Sequence, residues 1–392
     1  MSTESHAKAG HQPFVEHFNV SAFRGVRSVS LESLGRINLL IGRNDSGKTS
    51  ILEALAVFAS PLDMVEWAAI ARSREVRTNL LPGEALSAID SIRWLFPHNP
   101  NARPDDDEEH GPIQLSADGR ITCRSLDAQC QRMRGIPPEI DRDRPSSTAR
   151  GRQTEAEPAE DEGWLVKVMS TSVDDLFGPA PPVVEFPMWS SLGFRSVPRP
   201  RSKAPRVAFL APYAHRNQAM NLRLLTSAIV EDWKGKIDQL LNRLDPDIEQ
   251  VEIITTRGGT RPAIAVRHRR AGLVPVSVLG DGLRRALSIA LCIAEARNGL
   301  VLIDELEAAL HVTALDRIFP WIVDACHANN VQIVATTHSL EAIDAIAKLT
   351  PSESVRDVNA YHLSDSPGTG PARRYSGGML RRLVHEQGLD VR

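Results

Sequence analysis

Residues Gly42 to Thr49, Gly-Arg-Asn-Asp-Ser-Gly-Lys-Thr, follow the spacing G-x-x-x-x-G-K-[ST] that lets a chain wrap its backbone around phosphate groups. Glycines allow the turn to curl until successive N–H groups converge, and a helix starting at its end adds a partial positive charge. Gly42, Asn44, Ser46, Gly47, Lys48, Thr49 and Ser50 are the residues such a cradle presents to ATP. In this arrangement Lys48 reaches the β- and γ-phosphates as a point charge, and the Thr49 hydroxyl ligates magnesium (Mg2+). A glycine-rich turn without a ligand is the competing interpretation. The apolar run before it and the helical spacing after it favour the cradle.

A second group is Leu300-Val-Leu-Ile303 followed by Asp304 and Glu305, an apolar strand ending in two carboxylates. Ligands of open α/β sheets gather at the carboxyl ends of the strands, which places Asp304 beside the magnesium and Glu305 beside an attacking water. Glu305 is then the general base or water-orienting group. The same pair could instead cap the next helix, where acidic residues are favoured. A third group, Thr336-Thr337-His338-Ser339, ends another apolar strand, and an imidazole there can donate to a γ-phosphate. Alone, His338 reads as a surface residue; beside the other two groups it reads as catalytic.

The elements that must position these residues are visible as changes in apolar period. Short apolar runs at Phe18–Phe23, Val29–Leu31 and Ile37–Ile41 predict three strands, and Thr49–Phe58 predicts a helix. Further helices are expected over Met64–Ser73 and Glu84–Phe96. From His98 to Arg206 the composition shifts, with an acidic run at Asp105–Glu109, Pro-rich stretches, and a segment at 142–162 nearly devoid of large apolar residues. Strands expected at Ile113–Ser125, Trp164–Met169 and Val183–Met188 would make an antiparallel β-subdomain there. Beyond it the pattern predicts a strand at Val207–Leu210, one amphipathic helix over Asn221–Leu244, and strands at Val251–Thr256 and Ala263–His268. Helix Gly282–Ala296, strand Leu300–Ile303, helix Ala314–Ala328 and strand Val331–Thr336 follow. Helices alternating with buried strands imply an α/β fold with a mainly parallel sheet.

The chain has 392 residues, 42% of them hydrophobic, which suffices for a sizeable core. A formal net charge of −3 gives no global attraction to nucleic acid. The polar N-terminus and the lack of any long apolar run predict a cytoplasmic protein without a membrane partner. Cys123, Cys130, Cys292 and Cys326 have neither disulfide-framework nor metal-ligand spacing, and the last two are expected in helix cores. Arg195, Arg199, Arg201, Lys203 and Arg206 form a basic, proline-rich stretch that reads first as a solvated linker and second as a phosphate-binding patch.

Taken in order, these motifs resemble the ABC-type ATPases. They are the phosphate loop, then Leu279-Gly-Asp281-Gly282-Leu-Arg284-Arg285 opening a helix, then Asp304-Glu305-x-Glu307-x-x-Leu-His311, then Thr-Thr-His338-Ser. More narrowly, with Ala22-Phe-Arg24-Gly25 in an opening strand, the chain resembles the RecF, SMC and OLD-like branch, often grouped with AAA-family ATPases. The resemblance covers roughly Phe14 to Leu55 and Val207 to Tyr361. It implies a P-loop NTPase fold of ABC-ATPase-like head form, with an antiparallel β-subdomain and a helical insertion. Residues 14–97 would form the first part of the ATPase domain, 98–206 a variable insertion, 207–365 the second part, and 366–392 a C-terminal tail.

By the same resemblance Asp281 and Gly282 are the signature that caps the γ-phosphate held by a second subunit, with Arg284 or Arg285 offsetting the charge of Asp281. Glu307 to His311 would be a dimer-facing loop, and Gln218 the candidate Q-loop glutamine. Tyr375-Ser-Gly-Gly-Met379 looks more like a transporter signature, but falls after His338 and reads as a turn before a helix at Leu380–Gln387. The implied function is an ATP-hydrolysing switch that forms a homodimer or larger homo-oligomer and acts on a protein effector in DNA repair or anti-phage defence. Nucleic acid remains open as a further ligand. One alternative is a nucleic-acid-processing ATPase, either a RecF-like DNA binder or a nuclease of the OLD kind. Only 54 residues follow His338, too few for an appended nuclease domain. A transporter subunit is disfavoured by the altered signature and the lack of an adenine-stacking aromatic ahead of the loop. No coiled-coil arm of the structural-maintenance kind lies between Thr49 and Gly280.

Overall fold

A computed structural model describes residues 13–74, 88–99, 110–138, 160–173, 175, 181–192, 206–255, 262–349, 358–364 and 370–391. The acidic run at Asp105–Glu109, most of the 142–162 segment, the basic residues Arg195 to Lys203 and the start of the helix expected from Glu84 lie outside the described residues.

Strands β1 (His17–Phe23) and β2 (Val26–Leu31) form a hairpin turned by Arg24 and Gly25, with Arg24 left-handed at φ 49°. β3 (Ile37–Ile41) leads into helix α1 (Lys48–Ala59); α2 (Met64–Ala71) and α3 (Ala88–Arg93) follow. The run expected as one strand over 113–125 is two, β4 (Ile113–Asp118) and β5 (Cys123–Gly135). Gly119 breaks it: at φ 128°, a side chain there would sit 2.8 Å from the Glu16 nitrogen and the Phe14 oxygen. β6 (Asp161–Ser172) and β7 (Val184–Trp189) complete a sheet of order β2-β1-β4-β5-β6-β7. The strands between 98 and 206 therefore do not form a sheet of their own. They extend the opening hairpin, with β4 pairing along β1 at Phe18–Ala117.

β8 (Val207–Leu210) is followed by two helices where one was expected, α4 (Gln218–Val230) and α5 (Lys234–Leu244). The break is Asp232, left-handed at φ 56°, and Trp233, which is buried edge-on against Trp321 at 5.9 Å and donates its indole N–H to Asn329 at 2.9 Å. A continuous helix could not deliver that ring to the core. β9 (Ile248–Thr255), β10 (Pro262–His268) and β11 (Gly272–Pro275) form a small antiparallel sheet whose third strand the sequence pattern does not predict.

The remaining elements are α6 (Asp281–Glu295), β12 (Leu300–Ile303), α7 (Val312–Asn329), β13 (Gln332–Thr336), α8 (Leu340–Lys348), β14 (Val358–His362), β15 (Arg373–Ser376) and a short α9 (Gly377–Arg381). α9 opens inside the segment read as a turn before a later helix: the Ser376 hydroxyl accepts from the Met379 N–H at 3.4 Å and caps it.

The central sheet runs β15-β14-β3-β13-β12-β8, and all its pairings are parallel except that of β15 with β14. Its inner strands β14, β3, β13 and β12 are buried on both faces, and alternation divides their side chains between two cores. Ile37, Leu39, Ile41, Val301, Ile303, Ile333 and Ala335 pack with α6, α7 and α8. Leu40, Leu300, Leu302 and Val334 pack with α1 and the antiparallel sheet.

α1 is tied to the opening hairpin by Glu53, fully buried, which receives Arg24 at 2.8 Å and Arg74 at 2.7 Å. Glu53→Gln keeps the shape but leaves two guanidinium groups against a neutral amide. It should destabilise the fold by about 3 kcal/mol, since removing one member of a buried ionic cluster strands the others. A lowered urea midpoint at unchanged slope is the expected readout.

Candidate functional site

The order of the central sheet sets β3 and β12 on either side of β13, so the phosphate loop and the two carboxylates straddle the end of β13. Thr336, the last residue of β13, fills that gap. Its hydroxyl donates to Asp304 Oδ1 at 2.7 Å and accepts the Glu305 N–H at 2.8 Å. From the other side the Thr49 hydroxyl donates to Asp304, at 3.0 Å to Oδ1 and 3.2 Å to Oδ2. One carboxylate is thus held by hydroxyls from two elements that lie far apart in the chain.

The loop itself has the shape the motif requires. Gly42 at φ 142° and Gly47 at φ 90° take conformations that favour glycine, and Asp45 is left-handed at φ 65°. A side chain at Gly42 would meet the Ser46 hydroxyl at 3.1 Å and the Leu363 carbonyl at 3.2 Å. Lys48 folds back over the loop, donating to the Gly42 and Arg43 carbonyls at 2.7 and 2.6 Å and to Ser46 at 3.4 Å. Asn44 is exposed and Ser50 is buried. Burial lowers the Lys48 pKa below its ordinary value, although Asp304, Glu307, Asp45 and Glu305 all pull it upward. Those four carboxylates also make the site repel a bare triphosphate. A hydroxyl beside a carboxylate is the hard oxygen donor set that magnesium takes, so Thr49 and Asp304 fit that ion.

Glu305 is left-handed at φ 49°, and its side chain is partly exposed on the turn after β12. Two further residues, Glu307 and Thr336, hold the corner together. Glu307 Oε1 accepts the backbone N–H groups of His338 at 3.0 Å and Ser339 at 3.1 Å, and lies 3.3 Å from His338 Nδ1. Glu307 thus fixes the His338 turn to the Glu305 turn. His311 caps α7, accepting from the Thr313 N–H at 3.3 Å. The sequence places Thr336 in the Thr336-Thr337-His338-Ser339 group but assigns the chemistry there to His338, because a threonine at a strand end is common.

The start of α6 differs from expectation in its charges. Asp281 is paired with Arg216 at 2.5 Å and Arg284 at 2.9 Å, and the hydrogen bond from Arg216 is the main reason its pKa lies below the usual carboxylate value. Arg284 offsets Asp281, as anticipated; Arg285 does not, since it is completely buried and faces backbone carbonyls. Gly282 has an internal role as well, because a side chain there would lie 3.1 Å from the Ala309 carbonyl. Gln218 opens α4 as an exposed residue next to the cap Asn217, and Arg206, alone of the basic stretch, is described, paired with Glu231 at 3.4 Å.

If Lys48 supplies the main charge on the phosphates, Lys48→Ala should weaken ATP binding at least about 100-fold, roughly what losing a charged group from a bound phosphate removes. Calorimetric titration with ATP and magnesium measures this, and unchanged affinity would remove Lys48 from the site.

Residues 14–94 match the family described as "AAA ATPase domain", and residues 177–344 match the family described as "AAA domain, putative AbiEii toxin, Type IV TA system". An uncharacterized protein of Methanocaldococcus jannaschii is 38% identical over 114 residues, which are 29% of this chain and 99% of that protein. An ATP/GTP phosphatase of Helicobacter pylori is 26% identical over 136 residues, 34% of this chain and 35% of that protein. The DNA replication and repair protein RecF of Teredinibacter turnerae is 47% identical over 47 residues, 12% of each. Among solved structures, an SMC head bound to the C-winged helix domain of ScpA aligns over 96% of this chain and 100% of its own at 11% identity and TM-score 0.47. With its phosphate loop, its paired carboxylates and these sequence relatives, the chain belongs to the AAA-family ATPases.

Proposed function

We propose that this ATPase is a switch: two copies close head to tail on two ATP molecules, and the closed state is passed to a protein effector in DNA repair or anti-phage defence. The observation that carries the reading is the Asp304 carboxylate held between Thr49 and Thr336, which unites phosphate loop and catalytic corner. In this reading the loop N–H groups and Lys48 bind the triphosphate, and Glu305 orients water for attack on the γ-phosphate. The His338 imidazole senses that phosphate. Magnesium held by Thr49 and Asp304 would neutralise charge on the β- and γ-oxygens.

Support for a second copy comes from the surface beside α6. Its first turn is capped by Gly280, around which a side chain would meet nothing within 4 Å, and Val278, two residues before it, is 70% exposed. An open helix start preceded by an exposed valine suits the γ-phosphate end of another subunit's ATP. The similarity to a toxin-associated AAA domain supports the defence setting. The RecF similarity favours a second reading, in which the closed dimer holds DNA.

Glu305→Gln should keep ATP affinity within about threefold while slowing hydrolysis by about 100-fold, the size of effect usual for losing a general base. Trapped ATP should then hold two chains together, since what binds only the dimer stabilises it. Light scattering coupled to size exclusion should show mass doubling with ATP and magnesium. Adding Gly280→Glu, which places charge at the helix start without touching Ala309, should abolish the doubling but not the binding. Mass independent of ATP in Glu305→Gln contradicts the shared site.

A further inference from the structure

Arg285 is the only arginine in the fully buried core of the described residues, and it touches no carboxylate. One guanidinium nitrogen donates to the Ala211 carbonyl at 2.7 Å and the Pro212 carbonyl at 3.3 Å. The other donates to the carbonyls of Asp304 at 2.8 Å and Glu305 at 2.9 Å. These four carbonyls lie just past the ends of neighbouring strands β8 and β12, whose ladder closes with the Asp304 N–H on the Leu210 carbonyl at 2.9 Å. The side chain comes from the first turns of α6, four residues after Asp281.

Glu305 therefore has both of its backbone polar groups held. Its N–H is taken by the Thr336 hydroxyl, and its C=O accepts from Arg285 across the fold as well as from the Ala308 N–H of its own turn at 2.9 Å. A left-handed glutamate is an unfavourable backbone state that persists only when its surroundings determine it. The direction of its side chain follows from that backbone state. Buried cations are costly unless hydrogen-bonded; here the two terminal nitrogens of the planar fork span carbonyls past the ends of two strands, which a lysine could not do, while Nε is buried without a partner. Burial lowers the Arg285 pKa to about 10, well above neutral, so the cation persists at physiological pH.

We infer that Arg285 is a positioning residue for hydrolysis: from the start of α6 it fixes the Glu305 peptide and so aims the Glu305 carboxylate. This rests on Glu305 being the water-orienting group. A displacement on the order of 1 Å at such a group costs about 100-fold in rate. Arg285→Met, freed of the fork, should therefore hydrolyse bound ATP about 100-fold more slowly in single turnover, with ATP affinity and binding stoichiometry within about threefold of wild type. Arg285→Lys should recover about tenfold of that loss, because a point charge reaches some of the carbonyls but not all.

The decisive comparison is the double variant. If Arg285 acts through Glu305, Arg285→Met adds no further slowing in the Glu305→Gln background. A purely structural role would lower binding stoichiometry and leave the rate per bound ATP unchanged, and that result overturns the inference. An equal slowing in both backgrounds also overturns it. Wild-type hydrolysis by Glu305→Gln alone would overturn the reading of Glu305, and the inference with it. Should Arg285→Met fail to fold, the same comparison made with Arg285→Lys decides: about tenfold slowing that disappears without Glu305 supports positioning, and an unchanged rate per site refutes it.

Discussion

The rest of the site depends on a single carboxylate with two hydroxyl partners. Asp304 accepts from Thr49 at the head of α1 and from Thr336 at the end of β13, and so joins segments separated by 255 and 32 residues in the chain. Thr49 opens the helix that the phosphate loop feeds. Thr336 in turn receives the Glu305 N–H, so the same short chain of hydrogen bonds orders the residue proposed to orient water. Such networks strengthen within a protein interior and are costly when one member is unmatched. They also set a demand on the fold: β13 must lie between β3 and β12, which is the observed order.

Around that corner, charge is distributed to solve two different problems. Lys48 feels the charges of Asp304, Glu307, Asp45 and Glu305, a composition whose repulsion of a triphosphate a divalent cation would relieve. On the α6 side cations and an anion are paired in advance: Asp281 between Arg216 and Arg284, and Arg285 among carbonyls. The helix start consequently presents its N–H groups without a net carboxylate charge. α6 therefore presents an open, charge-balanced start at one end and is bonded to the Glu305 turn of its own chain one helical turn later.

Much of this was legible from residue types and spacing. The phosphate loop, the acidic strand end and the His338 turn were each identifiable because glycine, lysine and carboxylates in fixed register have few other uses. The buried strands were legible because β3, β12 and β13 are apolar on both faces. What stayed hidden was decided by distant contacts. The division of 218–244 into two helices follows from burying Trp233 against Trp321, a partner 88 residues away that no local pattern reveals. The joining of β4 to β1 depends on pairing across a long stretch of chain. Arg285 looked like a companion of Arg284 on a charged helix start. Only the ends of β8 and β12 distinguish a buried fork from a surface cation.

In the proposed mechanism Thr49 and Asp304 hold the ion that lets ATP bind among these carboxylates. Titrating ATP into wild type and Asp304→Asn, each with and without magnesium, isolates their shared site through the coupling between ion and nucleotide. Magnesium should tighten ATP binding at least about tenfold more in wild type than in Asp304→Asn, a difference of about 1.4 kcal/mol in coupling. Equal tightening in both proteins would contradict it and place the ion elsewhere.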